Sequence, residues 1–270
     1  MTLFEAALEI GGQFNLAKRV PGKEEFHETL RYFAVRLAEL GVEVQLGRRI
    51  RRGELSGEYD EVIVATGIQP RTPSIPGIGH ARVLSYLDVL QGAPVGEKVA
   101  LIGAGGIGFD VASFLLTDRE GPQPLGEWLG QWGIDLDNAA PGGLIPPVVA
   151  APRRQLWLLQ RKAGQPGAGL GKTSGWVHRA HLKHHGVRMI GGVEYLRIDD
   201  DGLHLRIDGQ VQCLAVDNVV ICAGQEPLLE LQPTLAAQNL RYHVIGGASV
   251  ARELDAKRAI REGAELAARL

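Results

Sequence analysis

One run constrains this 270-residue chain more than any other: VALIGAGGIGFDVASFLL, from Val99 to Leu116. Val99 to Ile102 is short and apolar and reads as a buried strand, while Phe109 to Leu116 reads as the start of a helix. Between them Gly103, Gly105 and Gly108 form G-x-G-x-x-G, with Gly106 and Ile107 inside the loop. Gly103 permits a tight turn, Gly105 lets backbone approach a pyrophosphate, and Gly108 lets the helix pack close to the sheet. The helix then offers its first N–H groups and partial positive charge to phosphate. With a strand before it and a helix after it, the motif favours a dinucleotide site over the alternative of a merely tight strand-to-helix turn.

A residue that reads the ribose is expected at the end of the next strand, about 20 residues on. That stretch is Pro- and Gly-rich from about Gly121 to Pro152 and reads as an excursion, spanning about 117–152. Beyond it the strand QLWLLQ ends at Arg161 and Lys162. A carboxylate there would suit the 2′-hydroxyl of NAD, whereas two cations suit the 2′-phosphate of NADP. The plainer alternative is a pair of surface cations.

An internal repeat extends the argument. DEVIVATGIQP (Asp60 to Pro70) and DNVVICAGQEP (Asp217 to Pro227) share Asp, three aliphatics, Gly and Pro at an offset of 157. The same offset sets Glu5, which ends TLFE, against Lys162. Glu5 to Gly67 and Arg161 to Gly224 span 62 and 63 positions. Two related nucleotide units follow, one with a carboxylate at the ribose position and one with cations. If Glu5 is a ribose ligand, its glycine loop belongs about 20 residues upstream of it, ahead of Met1. The expectation is therefore a segment of a longer polypeptide, or a reading frame opened at an internal Met, whose first unit lacks its first βα element. The alternative is a complete chain in which Glu5 ends a surface strand.

Composition removes other classes. With 29 Lys+Arg against 31 Asp+Glu the net charge is −2, so bulk electrostatics offer nothing to nucleic acid. The 2 cysteines, Cys213 and Cys222, build neither a disulfide framework nor a CxxC site for zinc or an iron–sulfur cluster. Apolar stretches break well before about 18 residues, so no membrane span is expected, and a soluble, cytoplasmic protein is. In HRAHLKHH, His181 and His185 share a helix face, but no third ligand accompanies them, and a solvated helix face is the simpler account of them than a metal. Cys222 follows an aliphatic run and reads as a small buried residue. GAGLGKTSGW is not a P-loop, because Pro166 stands where its first glycine belongs.

The segments TLFEAALEIGGQFNLAKRVPGKEEF, ATGIQPRTPSIPGI, VLSYLDVL, VALIGAGGIGFD, LLQRKAGQPGAGLGKTSGWVHR, VDNVVICAGQEP and ELDAKRAI together resemble the C-terminal FAD- and NADPH-binding part of bacterial 2,4-dienoyl-CoA reductases. The likeness runs the length of the chain and includes the excursion. It implies an α/β architecture of two dinucleotide-binding, FAD/NAD(P)-linked reductase-like Rossmann-type domains, the FAD domain incomplete. That domain would be discontinuous, at 1–95 and 225–270, with the NADPH domain at 96–224. The resemblance implies partners ahead of this segment, a barrel carrying FMN and a cysteine-held [4Fe–4S] cluster, and no nucleic acid or membrane. NADPH would give hydride to FAD, and electrons would pass through the cluster to FMN, which reduces the unsaturated thioester in fatty-acid β-oxidation. The same module on another enone reductase or amine dehydrogenase is the runner-up, and a non-catalytic NADPH-binding fragment is the third reading.

Site residues follow from motif and resemblance together. Gly103, Gly105, Gly106, Ile107 and Gly108 form the phosphate loop, and Arg161 and Lys162 read the 2′-phosphate. Glu5 would hold the FAD ribose, with Gly11 and Gly12 giving close approach to the flavin. The resemblance adds Gln13, Lys23, Ala65, Thr66 and Gly67, with Lys172 a neighbour of phosphate. In HVIGGAS, Gly247, Ala248 and Ser249 precede a helix whose N-terminus is expected at the flavin, although the acidic ribitol ligand expected there is absent. No side chain of this segment is expected to act as a catalytic acid or base, because hydride transfer to a flavin requires none.

Overall fold

The computed structural model describes residues 1–51, 53–55, 59–117, 123–238, 240–252 and 255–270. Its strands are β1 (Thr2–Phe4), β2 (Glu43–Gln45), β3 (Val62–Val64), β4 (Ile68–Pro70), β5 (Val83–Ser85), β6 (Lys98–Ile102), β7 (Gln155–Leu159), β8 (Arg188–Ile190), β9 (Glu194–Asp199), β10 (Gly202–Ile207), β11 (Gln210–Leu214), β12 (Asn218–Ile221), β13 (Gln225–Pro227) and β14 (Tyr242–Val244). The helices are α1 (Phe14–Ala17), α2 (Phe26–Glu39), α3 (Tyr86–Gln91), α4 (Gly106–Leu116), α5 (Leu125–Trp132), α6 (Gly175–His184), α7 (Gln232–Ala237) and α8 (Ala256–Ala267). The chain divides into two compact units, one of residues 1–15, 26–71 and 224–270, the other of residues 16–25 and 72–223.

The second unit is built on a parallel sheet in the order β5-β12-β6-β7-β8. Its central strands are apolar on both faces, as a sheet covered on both sides requires. Alternation sorts their side chains. Val99, Leu101, Leu156, Leu158 and Val220 enter a core with Phe109, Val111, Ala112 and Leu115 of α4 and Leu182 of α6. Ala100, Ile102, Trp157, Leu159, Val219 and Ile221 enter a second core with Ile198, Leu203 and Leu205 of the antiparallel sheet β11-β10-β9. Each fully buried Leu or Phe contributes about 1.5–3 kcal/mol, so these two cores fix the edge of the sheet from which the loops leave.

The units differ from the expected domain limits. Residues 72–95, expected with the first domain, belong to the second unit because β5 hydrogen-bonds to β12 and Tyr86, Val89 and Leu90 bury in its core. Residues 16–25 join it too, through buried Val20. Ser85 and Asp88 close a capping box that starts α3. The excursion folds, within its described part, into α5, a left-handed stop at Gly133 and a bridge between Ile134 and Leu144. Its residues 118–122 lie outside the described residues.

In the first unit β1 pairs with β2 and β14 with β3, both in parallel, while β4 and β13 pair antiparallel. The two repeat copies thus meet directly, Ile68 opposite Pro227 and Pro70 opposite Gln225. Val64, Leu55, Leu235 and Ala248 form the core, with Phe4, Val62, Tyr242 and Val244 packed on it. The C-terminal helix starts at Ala256, capped by Asp255, several residues beyond Ser249; Glu253 and Leu254 of ELDAKRAI lie outside the described residues. Among the described residues no helix is long and apolar enough to cross a membrane.

Candidate functional site

In the second unit the chain leaves β6 through Gly103, whose φ of +116° is open to glycine and strained for other residues. Its amide donates to the Leu159 carbonyl at 2.8 Å. A Cβ at Gly103 would stand 2.4 Å from the Cys222 carbonyl. At Gly108 a Cβ would stand 1.9 Å from the Gly103 carbonyl, so the helix packs against its own entry turn only without a side chain. Gly105 is different: its backbone is ordinary, φ −89°, and a Cβ there would meet nothing within 4 Å. The three positions thus divide as tight turn, open approach and close packing. The helix opens at Gly106, three residues before the expected Phe109, because Gly105 serves as N-cap and brings no side chain to the amides behind it. Open space in front of an uncapped N-terminus of an 11-residue helix can receive an anion.

The sheet's topology places this loop at a switch point, since β7 and β8 lie on one side of β6 and β12 on the other. Ligands of open α/β sheets bind in that crevice, outside the carboxyl ends of the strands. Ile102 pairs with Leu159, so the loop after β6 and the turn after β7 leave the same edge side by side. Arg161 and Lys162 are exposed in that turn. Gln160, to which no sequence motif points, organises it: its side-chain amide nitrogen donates to the carbonyls of Lys162 (3.0 Å) and Gly164 (3.3 Å), and the Gly192 N–H donates to the Lys162 carbonyl as well (3.0 Å). Tyr195 is a second such residue. Burial pushes its phenol up, the Arg161 charge opposes that, and among the described residues its hydroxyl is buried without a hydrogen-bond partner.

Cys222, at the end of β12, is buried, and burial first and Asp110 second push its thiol up, so it is no nucleophile at neutral pH. Lys23, expected at the flavin, belongs to this unit and pairs with Asp110 of α4 at 2.6 Å. Lys172 is exposed before α6. The His181 and His185 rings lie 4.4 Å apart and tilted by 51°, but the His185 Nδ1 lies 2.9 Å from the His181 carbonyl, engaged with the end of α6. Burial, with the neighbouring histidines, lowers His181 to about 4.

In the first unit β3 and β14 bring Ala65, Thr66 and Gly67 beside Gly247 and Ala248, since Val64 pairs with Val244 and Ile245 N–H donates to Val64. The Thr66 hydroxyl donates to the Leu228 carbonyl at 2.7 Å, holding the turn between the repeat's two strands. Gly247 and Ala248 are buried in a 3-10 turn, and Ser249 is exposed. An acidic side chain does reach this turn, from further along the chain: the Glu262 carboxylate of α8 accepts from Gly246 N–H at 2.5 Å. Glu5 follows β1, and its carboxylate accepts the Ala7 N–H at 2.8 Å, closing a local turn. Gly11, at φ +124°, has Leu30 against it, whereas Gly12 and Gln13 are exposed.

Residues 5–254 match the family described as pyridine nucleotide-disulphide oxidoreductase. A metal reductase of Desulforamulus reducens is 26% identical over 254 residues, 92% of this chain and 37% of that protein. An N,N-dimethylglycine/sarcosine dehydrogenase of Chromohalobacter salexigens is 36% identical over 109 residues, 38% of this chain and 16% of that one. Among solved structures, a 2-naphthoyl-CoA reductase complex superposes with a TM-score of 0.80 at 21% identity, covering 100% of this chain and 36% of its own, a likeness of fold. The chain thus spans little more than a third of the length of the metal reductase and of the naphthoyl-CoA reductase, and its match covers less of the dehydrogenase. It is an α/β protein of FAD/NAD(P)-binding Rossmann type, and it belongs to the pyridine nucleotide-disulphide oxidoreductase family, for which FAD and NAD(P)H are typical.

Proposed function

We propose that this chain is the electron-input module of a larger flavoenzyme of the NADPH-dependent 2,4-dienoyl-CoA reductase type. The observation that carries the reading is the pairing, at one sheet edge, of the open Gly105 approach with the exposed cations of the neighbouring turn. Gly103, Gly105, Gly106, Ile107 and Gly108 would hold the NADPH diphosphate, and Arg161 and Lys162 its 2′-phosphate. Such a charge-assisted contact contributes about 1.5–3 kcal/mol, roughly a 10- to 150-fold preference. Glu5, Gly11, Gly12, Gln13, Ala65, Thr66, Gly67, Gly247 and Ala248 would form the FAD side, with Lys23 an FAD contact in the same reading.

Bound NADPH supplies a hydride and bound FAD accepts it. The chain's own work is to bind, orient and exclude water. Two features support an incomplete FAD side. Among the described residues β1–β2 and β3–β14 form separate two-stranded sheets around one core, and α2 and α8 bury no residue. A preceding segment would supply the missing strand, phosphate loop and helix, and beyond them the cluster, FMN and substrate site.

The test is anaerobic addition of NADPH to the product of the gene together with its in-frame upstream codons. Those codons are expected to encode a glycine loop, a cysteine cluster and a barrel, and flavin absorbance is expected to fall faster with NADPH than with NADH. Upstream codons without those features, or a flavin that neither nucleotide reduces, would contradict the assignment.

A further inference from the structure

We infer that Tyr195 is a positioning residue for the 2′-phosphate of NADPH: its hydroxyl accepts from the Arg161 guanidinium once the phosphorylated ribose is bound, and so sharpens the choice of NADPH over NADH. This role rests on the assignment of Arg161 and Lys162 to that phosphate. The turn that carries Arg161 is laced to the start of β9. The Gln160 N–H donates to the Ile190 carbonyl, the Val193 N–H to the Gln160 carbonyl and the Gly192 N–H to the Lys162 carbonyl, each at 3.0 Å. The fit is close, since a Cβ at Gly191 would stand 2.2 Å from the Gly164 carbonyl and 3.1 Å from that of Lys162. Val193 buries in the same core as Leu159, the last residue of β7. Side chains alternate along a strand, so Tyr195, two positions after Val193, faces the same way. It packs on that core, with buried Leu205 of β10 opposite it.

The hydroxyl is an unfinished contact. Its oxygen is shut from solvent, and among the described residues nothing bonds to it. A buried hydroxyl in that state destabilises the fold until a partner arrives. The core around it offers none, because Leu159, Val193 and Leu205 are apolar. The carbonyls of the turn are taken: Gln160 and Ile190 by backbone amides, Lys162 and Gly164 by the Gln160 side chain. Arg161 is the group that acts on the phenol, its charge opposing the rise that burial imposes, while its side chain is exposed. Fixing a long, flexible side chain for one neutral hydrogen bond gains little, since the lost rotamer freedom offsets it. A 2′-phosphate changes that balance. Arg161 is then held by a charge-assisted contact, and one of its five N–H groups can turn to the phenol without further loss of freedom. NADH carries no such phosphate and leaves the hydroxyl unpaired.

The test is a double-mutant cycle of Tyr195→Phe and Arg161→Ala, with NADPH and NADH affinities measured by calorimetry and a thermal melt of each variant. The wild-type chain is expected to prefer NADPH. Tyr195→Phe is expected to cut the NADPH-over-NADH ratio roughly 2- to 12-fold, the worth of one hydrogen bond, and to do nothing further once Arg161→Ala is present. Phenylalanine keeps the ring and loses only the unpaired hydroxyl, so its melt is expected at or above that of the wild type. A merely structural tyrosine would lower the melt and leave the ratio alone. A wild-type ratio in Tyr195→Phe, an effect equal with and without Arg161, or a melt below the wild type would each overturn the role of Tyr195 while leaving Arg161 and Lys162 as the phosphate readers. A wild-type chain that binds both nucleotides alike would remove that assignment, and this role with it.

Discussion

Replacing Gly105 by alanine separates a binding role from a folding role at the glycine loop. The backbone there, φ −89° and ψ −170°, suits any residue, and an added Cβ meets nothing within 4 Å. Folding should therefore change by no more than about 1 kcal/mol, because the lower entropy of the unfolded alanine chain stabilises while alanine is a poorer N-cap than glycine. The same methyl would stand where the diphosphate must approach. Losing one charge-assisted amide contact costs about 1.5–3 kcal/mol, so NADPH should bind roughly 10- to 150-fold more weakly. Gly108→Ala is the contrast. Its Cβ would sit 1.9 Å from the Gly103 carbonyl, short of the 3.0 Å that real Cβ contacts keep, and forcing the helix away should cost about 1–3 kcal/mol of stability. The assay is NADPH titration by calorimetry beside a thermal melt of each variant. The reasoning fails if folded Gly105→Ala binds NADPH as the wild type does, or if Gly108→Ala melts unchanged.

Other consequences are open to measurement. Because burial lowers His181 to about 4 from an ordinary 6.5, the unfolded chain takes up a proton that the folded one refuses. Stability should be full above about pH 6.5 and fall as pH drops toward 4, and His181→Gln should flatten that limb in pH-dependent melts. Glu262→Ala leaves the half-buried Gly246 N–H without its carboxylate and should cost about 1–3 kcal/mol by urea denaturation. Lys23→Met removes a short, half-buried ion pair with Asp110 and should cost about 1 kcal/mol, less in high salt, by the same measurement.

Local signals in the sequence read well because their causes are local. The apolar run before Gly103 and the helix after it need only their own residues, and β6 and α4 form there. The repeat at Asp60 and Asp217 likewise marks the strands β3 and β12 with their glycine turns. The helix start at Gly106 was less legible, because a glycine N-cap announces itself by no side chain. Features made by distant segments were not legible at all. Val83 to Ser85 joins the second sheet through β12, more than 130 positions on, which moves the boundary of the unit away from the expected 95. Gln160 reads as the last residue of a strand until its amide is found across the Lys162 turn. Glu262 lies 16 positions from the Gly246 amide it accepts from. His204 and Cys213 are 9 positions apart and become neighbours only through strand register.

The central claim is that the β6–β7 edge of the second unit reads a phosphorylated dinucleotide. Its most direct measurement is the dissociation constant of the chain for NADPH and for NADH by calorimetry, in the wild type and in the variant carrying Arg161→Ala and Lys162→Ala. The account predicts one NADPH per chain, bound at least about 10-fold more tightly than NADH, and a preference that vanishes in the variant while NADH binding persists. Equal affinity for the two nucleotides before and after the substitutions, or binding of neither, would contradict it.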